Sequence, residues 1–264
     1  MGKRPRPTRN NYYTSEMDSI YFSASQVKSF LSCEARTLAE LTGEWNPPPS
    51  EALLVGSYVD EYFTGPKSYA RFLEDHVSEL FNKRTGDLKA PYKHANVMIE
   101  RARADPVFME YMRGQKQKIV TGEIDGIQFK AKFDVYRKGE RIVDLKTTKD
   151  FQPRYVEGQG RISFADAFGY PLQMAIYQYL EGNHLPCYLA VVTKEDPPDI
   201  AVIQIDQARL DSEMEFLRAK LPRLDAIKRG LIEPERCGKC AYCRATKKIT
   251  SPIPISELEV NMIG

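Results

Sequence analysis

The protein has 264 residues, 42% of them hydrophobic and 28% charged, a composition typical of a soluble globular protein. Lysine and arginine outnumber aspartate and glutamate by 38 to 36, a net charge of +2, so any basic surface for nucleic acid must be local. No apolar run approaches ~20 residues, which excludes a transmembrane helix.

The first ten residues, MGKRPRPTRN, are basic, and no apolar segment follows them. This pattern does not match a secretory signal, so we expect residues 1–20 to form a solvated, disordered arm of a cytoplasmic protein. Without a secretory signal, the five cysteines favour a metal site over a disulfide framework.

A helical region follows the arm. A capping-box spacing that begins at Ser23 and a regular apolar face predict a first helix over about residues 25–41. The three prolines at 47–49 form a stiff linker after it. Cys33 lies in the middle of this helix, where a lone cysteine is usually a small core residue.

A second helix is expected over residues 50–63, and further helical pieces over 66–114. In the second helix, Gly56 and Asp60 are four residues apart and therefore share a face. A glycine there would admit a neighbouring backbone and leave the carboxylate accessible. Taken alone, however, an exposed helical aspartate is an ordinary surface residue.

The segment 128–149 predicts a β-hairpin. Apolar and polar residues alternate over 129–135 as in a half-buried strand, and a polar turn centred on Gly139 leads to a strand rich in β-branched residues. With the turn at this position, Asp134 falls opposite Asp144 or one residue off. Two facing carboxylates repel each other, and a cation between them would remove that cost.

Asp144 and Lys146 are two residues apart and project from the same face of their strand, whereas Leu145 points into the core. Together with Asp134 they would suit Mg²⁺, which takes carboxylate and phosphate oxygens, and a water nucleophile. The lysine could help to deprotonate the water or stabilise negative charge in the transition state. The simpler alternative is a surface hairpin with scattered charges, because D-x-K alone is a common pattern.

A later helix is expected over residues 163–180, with a kink or a restart at Pro171. Within it, Gln173 and Tyr177 are four residues apart on one face. Residues 187–193 form an almost continuous apolar run, typical of a central strand that is buried on both faces. The remaining predicted elements are a strand over 200–205 and an amphipathic helix over 210–224.

The motifs occur in a characteristic order: Gly56-x-x-x-Asp60, Asp134, Asp144-Leu145-Lys146 and Gln173-x-x-x-Tyr177. Over about residues 20–245 this order resembles the PD-(D/E)XK nuclease superfamily, and within it the RecB-type and RecE-type exonucleases of recombination systems and phages. The resemblance implies an α/β fold with a restriction-endonuclease-like core, in which a mixed sheet with a three-strand antiparallel meander is flanked by helices.

The resemblance also implies a catalytic metal site. Asp134, Asp144 and the main-chain carbonyl of Leu145 would bind Mg²⁺ or Mn²⁺, and Lys146 would be the catalytic lysine. The helical motif of the family usually ends in histidine, whereas here it ends in Asp60. A carboxylate is an acceptable ligand for these ions, so Asp60 is expected to complete the metal shell.

The family's Q-x-x-x-Y motif, thought to position the site and the DNA, matches Gln173 and Tyr177. We therefore include both residues among the candidate catalytic residues.

Several RecB-type nucleases hold an iron–sulfur cluster with one cysteine before the nuclease core and three near the C-terminus. Cys33 and the C-x2-C-x2-C motif of Cys237, Cys240 and Cys243 match this distribution. The last gap is narrower than in the commonest family pattern, and four thiolates suit zinc as well as a four-iron cluster. The resemblance favours the iron–sulfur cluster, with zinc as the alternative. The fifth cysteine, Cys187, lies in the apolar run and is expected in the core.

These features divide the chain into three parts. A single nuclease domain over 21–245 lies between the arm and a C-terminal tail over 246–264. The domain comprises a helical part over 21–114, a catalytic core over 115–232 and a cysteine-rich metal staple over 233–245 that includes Cys33.

The resemblance implies a metal-dependent exonuclease that processes double-stranded DNA ends for recombination in the cytoplasm of a bacterium or for a phage. A single-strand annealing protein is a possible partner, and some relatives act as homo-oligomeric rings. Two alternatives are a non-catalytic DNA-binding or adaptor protein on the same fold and a structure-specific or CRISPR-adaptation nuclease. The complete set of Asp134, Asp144 and Lys146 favours an enzyme.

Overall fold

The computed structural model describes residues 4–48 and 50–255, and a five-stranded mixed sheet lies at its centre. The strands are β1 Gln115–Ile124, β2 Ile127–Arg137, β3 Arg141–Thr148, β4 Arg154–Val156, β5 Gly160–Ile162, β6 Cys187–Thr193 and β7 Ile200–Ile205. The order in the central sheet is β1-β2-β3-β6-β7, and β4 pairs with β5 separately. Neighbouring strands of the central sheet are antiparallel except β3 and β6, which are parallel.

Helices cover both faces of this sheet. They are α1 Ser15–Ile20, α2 Ala24–Ser32, α3 Glu34–Leu41, α4 Glu51–Thr64, α5 Pro66–Asp75, α6 Val77–Leu80, α7 Ala90–Arg103, α8 Pro106–Tyr111, α9 Phe164–Ala167, α10 Tyr170–Glu181, α11 Gln207–Lys228 and α12 Ala241–Ala245. The predicted mixed α/β fold, with a three-strand antiparallel meander flanked by helices, is confirmed. Both meander turns use residues with positive φ, at Asp125 and Gly126 and at Gly139.

Two hydrophobic cores form, one on each face of the sheet. The first core joins the sheet to α2, α10 and α11, and the second joins it to α4, α7 and α8. Strand β3 contributes to both, because Ile142 belongs to the first core whereas Val143 and Leu145 belong to the second. The two-residue period of the strand therefore directs Asp144 toward α10, on the same side as Ile142.

The alternation of strand β2 is interrupted at Asp134. Phe133 lies in the first core but Val135 lies in the second, so the expectation that they share a face is wrong. The pairing of β1 with β2 skips Asp134 and the facing Gln117, which has φ +54°. Irregularities of this kind re-aim side chains near functional sites.

The first predicted helix is in fact two helices. Cys33 separates α2 from α3 with an extended backbone, φ −165° and ψ 107°, so the single helix over 25–41 is wrong. The break is supported by tertiary contacts, because the Ala35 N–H at the start of α3 donates to the Glu235 carbonyl at 3.0 Å. Downstream, Pro171 lies in the first turn of α10 after a break at Gly169, so the predicted restart is confirmed.

Residues 4–20 do not form the disordered arm that was predicted for residues 1–20. This segment contains α1, whose Met17 is fully buried. The Lys130 ammonium, also buried, pairs with Asp18 at 2.7 Å. Because this buried lysine of β2 needs an anionic partner, the segment packs against the sheet and is ordered.

The tail predicted over 246–264 is described only as far as residue 255, and 256–264 lie outside the described residues. Within 4–48 and 50–255, none of the helices has the length and apolar character needed to cross a membrane.

Candidate functional site

A cavity of about 930 Å³ lies where α4 and α10 approach strands β2 and β3. Every residue assigned to the catalytic metal site from the sequence lines this cavity: Asp60, Asp134, Asp144, Leu145, Lys146, Gln173 and Tyr177. The structure therefore brings together residues from two helices and two strands. Six lysines also line the cavity: Lys28, Lys130, Lys132, Lys146, Lys149 and Lys194.

Asp144 is the most buried of the three carboxylates, with 1% of its surface exposed. Its Oδ1 accepts a hydrogen bond from Gln173 Nε2 at 2.8 Å. Its Oδ2 lies 2.5 Å from Lys146 Nζ as an ion pair, but no donor reaches it with hydrogen-bond geometry. This buried oxygen has an unused lone pair, as expected of a ligand to a cation.

Asp134 lies across the hairpin from Asp144. The pairing of β2 with β3 ends at Val135 and Val143. Continuing this register by one residue places Asp134 opposite Asp144, as a turn centred on Gly139 predicts. The Leu145 N–H donates to Asp134 Oδ2 at 2.9 Å and fixes this carboxylate against β3. The other oxygen of Asp134 remains available to a ligand.

Asp60 reaches the site from α4, one helical turn after Gly56. This helix approaches β3 closely, because a Cβ atom at Gly56 would lie 3.3 Å from Thr147 Oγ1. Gln117 Nε2 lies 3.4 Å from Asp60 Oδ2, at the interruption of β1. The nearest atom is thus a side-chain oxygen and not the neighbouring backbone that the sequence predicted, and the close approach of α4 to β3 brings the aspartate over the sheet.

The three carboxylates repel one another in a poorly solvated place. Burial raises the pKa of Asp134 well above its usual range, and the charges of Asp60 and Asp144 raise it further. Burial, followed by the neighbouring Glu61, raises the pKa of Asp60 to about 6. A bound cation would remove this repulsion and lower both pKa values.

For Lys146, nearby opposite charges together affect the pKa more than burial does. Burial alone lowers its pKa, but Asp144 and Asp134 outweigh that effect and raise the pKa above its usual value. With these partners Lys146 is protonated at neutral pH. In this state the ammonium can stabilise negative charge that develops in a transition state.

The donor atoms at the site fit a hard divalent cation. Asp60, Asp134 and Asp144 offer carboxylate oxygens from three different elements, and Leu145 lines the same cavity. Mg²⁺ and Mn²⁺ prefer oxygen ligands, and Mg²⁺ usually binds one or two carboxylates together with substrate phosphates.

Gln173 and Tyr177 are linked directly on α10. Gln173 Nε2 lies 3.1 Å from the Tyr177 hydroxyl, and its Oε1 accepts a hydrogen bond from Lys28 Nζ at 2.8 Å. The Tyr177 ring packs on Phe133 with centroids 4.9 Å apart. The Gln173 amide is thus held on both sides, which orients the Asp144 carboxylate.

Sequence reasoning missed three residues of this site: Lys28, Gln117 and Tyr170. Lys28 meets Gln173 across 145 positions of the chain, and Gln117 meets Asp60 across 57. The Tyr170 ring lies 5.2 Å from Lys146 Nζ. No local pattern marks these residues, because each depends on packing between distant elements.

The four cysteines expected to share a metal also meet. Their sulfur atoms all lie within 4.8 Å of one another, at the junction of α2, α3 and the C-terminal segment. Cys33 Sγ lies 3.6 Å from Cys243 Sγ and 3.8 Å from Cys240 Sγ, and Cys237 Sγ lies 3.9 Å from Cys243 Sγ. None of them forms a disulfide. Cys187 is buried in β6, as predicted.

Backbone N–H groups support thiolates in this cluster. The Cys240 N–H donates to Cys237 Sγ at 3.3 Å, and the Cys243 N–H donates to Cys240 Sγ at 3.4 Å. Hydrogen bonds from the Cys240 and Lys239 backbone lower the pKa of Cys237 to about 6. Burial raises the pKa of Cys240 to about 11, and a bound cation would reverse that shift.

A tetrahedral ion with metal–sulfur bonds of about 2.3 Å separates its ligand sulfurs by about 3.8 Å. The three sulfur–sulfur distances of 3.6, 3.8 and 3.9 Å match this value. A four-iron cluster binds each thiolate to a different iron atom and therefore needs its cysteines farther apart. The cysteines as they stand fit a single ion better than a cluster.

The fold and the site define the PD-(D/E)XK class of nucleases. More specifically, residues 23–246 match a family model described as a PDDEXK-like domain of unknown function (DUF3799), and the chain belongs to this family.

The structure is similar to the crystal structure of a "putative exonuclease" from Eubacterium rectale, with a TM-score of 0.91 and 37% identity over 96% of this chain and 98% of the other. The crystal structure of SSO0001, at 17% identity over 69% of this chain and 82% of that one, has a TM-score of 0.28 and is too dissimilar to support an inference. No protein with a curated description matches the sequence.

Proposed function

We propose that the protein is a DNA exonuclease that hydrolyses phosphodiester bonds with the help of Mg²⁺ or Mn²⁺. The observation that carries this proposal is the convergence of Asp60, Asp134 and Asp144 with the Lys146 ammonium in one cavity. Acidic oxygens suit the cation, and the lysines around them suit the phosphates of DNA. The exonuclease name of the Eubacterium rectale protein supports the same reaction.

A divalent cation bound here would polarise the phosphate and lower the pKa of an attacking water. Asp134 and Asp144 would hold it, with Asp60 and the Leu145 carbonyl as further ligands. Gln173 keeps Asp144 oriented through its 2.8 Å hydrogen bond. The Lys146 ammonium stabilises the negative charge that develops on the phosphate as the water attacks.

We propose double-stranded DNA ends as the substrate, on the basis of the resemblance to RecE-type exonucleases. The same resemblance suggests a role in recombination in a bacterium or phage, beside a single-strand annealing protein, and a homo-oligomeric ring. Size-exclusion chromatography with light scattering tests the ring. A monomeric mass with and without DNA would contradict it.

Cleavage itself is tested with end-labelled linear DNA and closed circular DNA of the same sequence, incubated with Mg²⁺, Mn²⁺ or EDTA. We expect metal-dependent release of nucleotides from the linear DNA, whereas the closed circle stays intact. Cutting of the circle would indicate an endonuclease. Binding of DNA without cleavage under any metal condition would indicate a non-catalytic adaptor.

Lys146→Ala is expected to reduce cleavage by about 10²-fold or more while the metal still binds. The reason is that the ammonium compensates charge on the phosphate and contributes no metal ligand. Titration of Mn²⁺ and single-turnover cleavage separate the two effects. Lys138→Ala, which removes an exposed lysine from the turn between β2 and β3, outside the cavity, is the control and should retain most of the activity. Equal rates for Lys146→Ala and the wild type would exclude a catalytic role.

Asp60→Asn is expected to weaken metal binding about tenfold and to be partly rescued by excess Mn²⁺. The folded pKa of Asp60 is about 6, above the ordinary value of 3.8, so the metal-free protein loses stability as the pH rises from about 4 through 6. Removing the charge should therefore raise the melting temperature in EDTA by about 2–4 °C at pH 7.5.

For wild-type protein, metal affinity should fall as the pH is lowered through 6, because protons compete for the Asp60 oxygens. Unchanged metal affinity of Asp60→Asn would make Asp60 a surface residue, and Glu61 would be the next candidate ligand.

We further propose that Cys33, Cys237, Cys240 and Cys243 bind one metal ion that joins α2 and α3 to the C-terminal segment. The sulfur–sulfur distances of 3.6 to 3.9 Å support zinc over the iron–sulfur cluster that the family resemblance suggests. The role of this ion is structural, because four thiolates leave no open position for a substrate.

A further inference from the structure

Lys28 enters the active-site cavity from α2, on the opposite side from α4. Its Nζ donates to Gln173 Oε1 at 2.8 Å and lies 5.3 Å from the centre of the Tyr170 ring. The path of this side chain depends on Gly169, which has φ +60° and where a Cβ atom would lie 3.0 Å from Lys28 Cδ. A residue with a side chain at this position would be strained and would crowd the lysine.

The Lys28 ammonium lacks a carboxylate partner among the described residues. Among the partly or fully buried lysines of the cavity, Lys130 pairs with Asp18 at 2.7 Å and Lys146 pairs with Asp144 at 2.5 Å, whereas Lys28 and Lys132 form no ion pair with a described residue. Within residues 4–48 and 50–255, the Lys28 ammonium has one hydrogen-bond acceptor, the neutral Gln173 oxygen. A half-buried ammonium with one neutral acceptor retains donors for an anion from the cavity.

Lys28 and Lys146 both approach the same aromatic ring. Their Nζ atoms lie 5.3 and 5.2 Å from the centre of the Tyr170 ring. Burial lowers the pKa of Lys28, and repulsion by the Lys146 ammonium lowers it further. An anion bound between these two lysines would relieve that repulsion. In a cavity that also holds the metal-binding carboxylates, the anion with matching chemistry is a phosphodiester.

We propose that Lys28 is a phosphate-binding residue of the nuclease site, which contacts a non-bridging oxygen of the phosphodiester beside the metal. The proposal rests on the nuclease function proposed above. Gln173 needs only its Nε2 group to hold Asp144, so its Oε1 can release Lys28 to the DNA without disturbing that carboxylate. The alternative is that Lys28 only positions Gln173.

Two DNA duplexes of the same sequence that differ in the charge of their terminal linkages distinguish these roles. In one duplex the terminal linkages are phosphorothioates, which keep the negative charge, and in the other they are neutral methylphosphonates. Binding is measured by fluorescence anisotropy in Ca²⁺, with gels verifying that the DNA stays intact. We expect wild-type protein to bind the charged duplex about tenfold more tightly or better, because charge-assisted hydrogen bonds are the strong ones.

Lys28→Met is expected to lower that preference for charge about five- to tenfold. Lys28→Gln should behave in the same way, and Lys28→Arg should retain most of the preference. Lys138→Met is the control, since Lys138 is exposed in the turn between β2 and β3 and does not line the cavity, and it should keep the wild-type ratio. Melting temperatures establish that each variant folds.

The possible results distinguish a failure of the Lys28 proposal from a failure of the proposed nuclease function. If wild-type protein prefers the charged duplex and both Lys28→Met and Lys28→Gln keep its ratio, Lys28 does not bind phosphate. An equal loss for both duplexes in these variants would make it a positioning residue for Gln173. Wild-type protein that binds neither duplex with any metal would instead contradict the proposed nuclease function.

Discussion

Replacing Asp144 with asparagine is expected to slow DNA cleavage by about 10²-fold or more. Asp144 Oδ1 is held by Gln173 Nε2, so the asparagine amide nitrogen would take the place of Oδ2. There it would face Lys146 Nζ, which lies 2.5 Å from Oδ2 in the native protein. The variant therefore loses the charge that would hold the cation and also the ion-pair partner of the lysine.

Three measurements test this expectation: single-turnover cleavage of linear DNA, titration with Mn²⁺, and thermal unfolding in EDTA. The native fold should persist, because removing one of three mutually repelling carboxylates offsets the lost ion pair. Asp75→Asn is the control, since this aspartate is 61% exposed in a surface pair with Arg71. Wild-type cleavage by Asp144→Asn would show that the site is misassigned, whereas wild-type cleavage by Asp75→Asn is expected.

The part of this site that lies on the hairpin could be predicted because local periodicity determines it. A turn centred on Gly139 fixes which residues face each other, and the two-residue period of a strand puts Asp144 and Lys146 on one face. The four-residue spacing of Gln173 and Tyr177 likewise predicted a pair in contact, and the two side chains lie 3.1 Å apart.

Features set by distant segments could not be predicted in this way. The break at Cys33 depends on a hydrogen bond between Ala35 and Glu235, and the order of the N-terminal segment depends on the buried Lys130. The interruption at Asp134 reverses which core Val135 enters, although its sequence pattern is regular. In each case a tertiary contact outweighs the local preference of the chain.

The cysteine cluster provides the second large expected effect. Cys33→Ser is expected to reduce the metal content severalfold and to lower the melting temperature by about 5–10 °C. Cys33 and Cys243 are 210 residues apart, so a cross-link between them restricts the unfolded chain by up to about 5 kcal/mol. The observed loss should be smaller than this limit, because Arg223 also joins Glu34 to Glu235 at 2.8 and 3.0 Å.

Metal analysis and visible absorption, on protein purified without oxygen, identify the ion. We expect about one zinc per chain and no visible band in the wild type, and limited proteolysis of Cys33→Ser should cut near α3 and near the C-terminal cysteines. Cys187→Ser is the matched control, because this buried cysteine of β6 should lose stability without losing metal. Full metal content in Cys33→Ser would remove Cys33 from the site.

Visible absorption from iron would replace the zinc assignment, because the thiolates would then have to move apart to bind a cluster. A metal-free wild type with a disulfide between Cys237 and Cys240 would show that these two cysteines form a redox pair and that the four sulfurs do not share a metal.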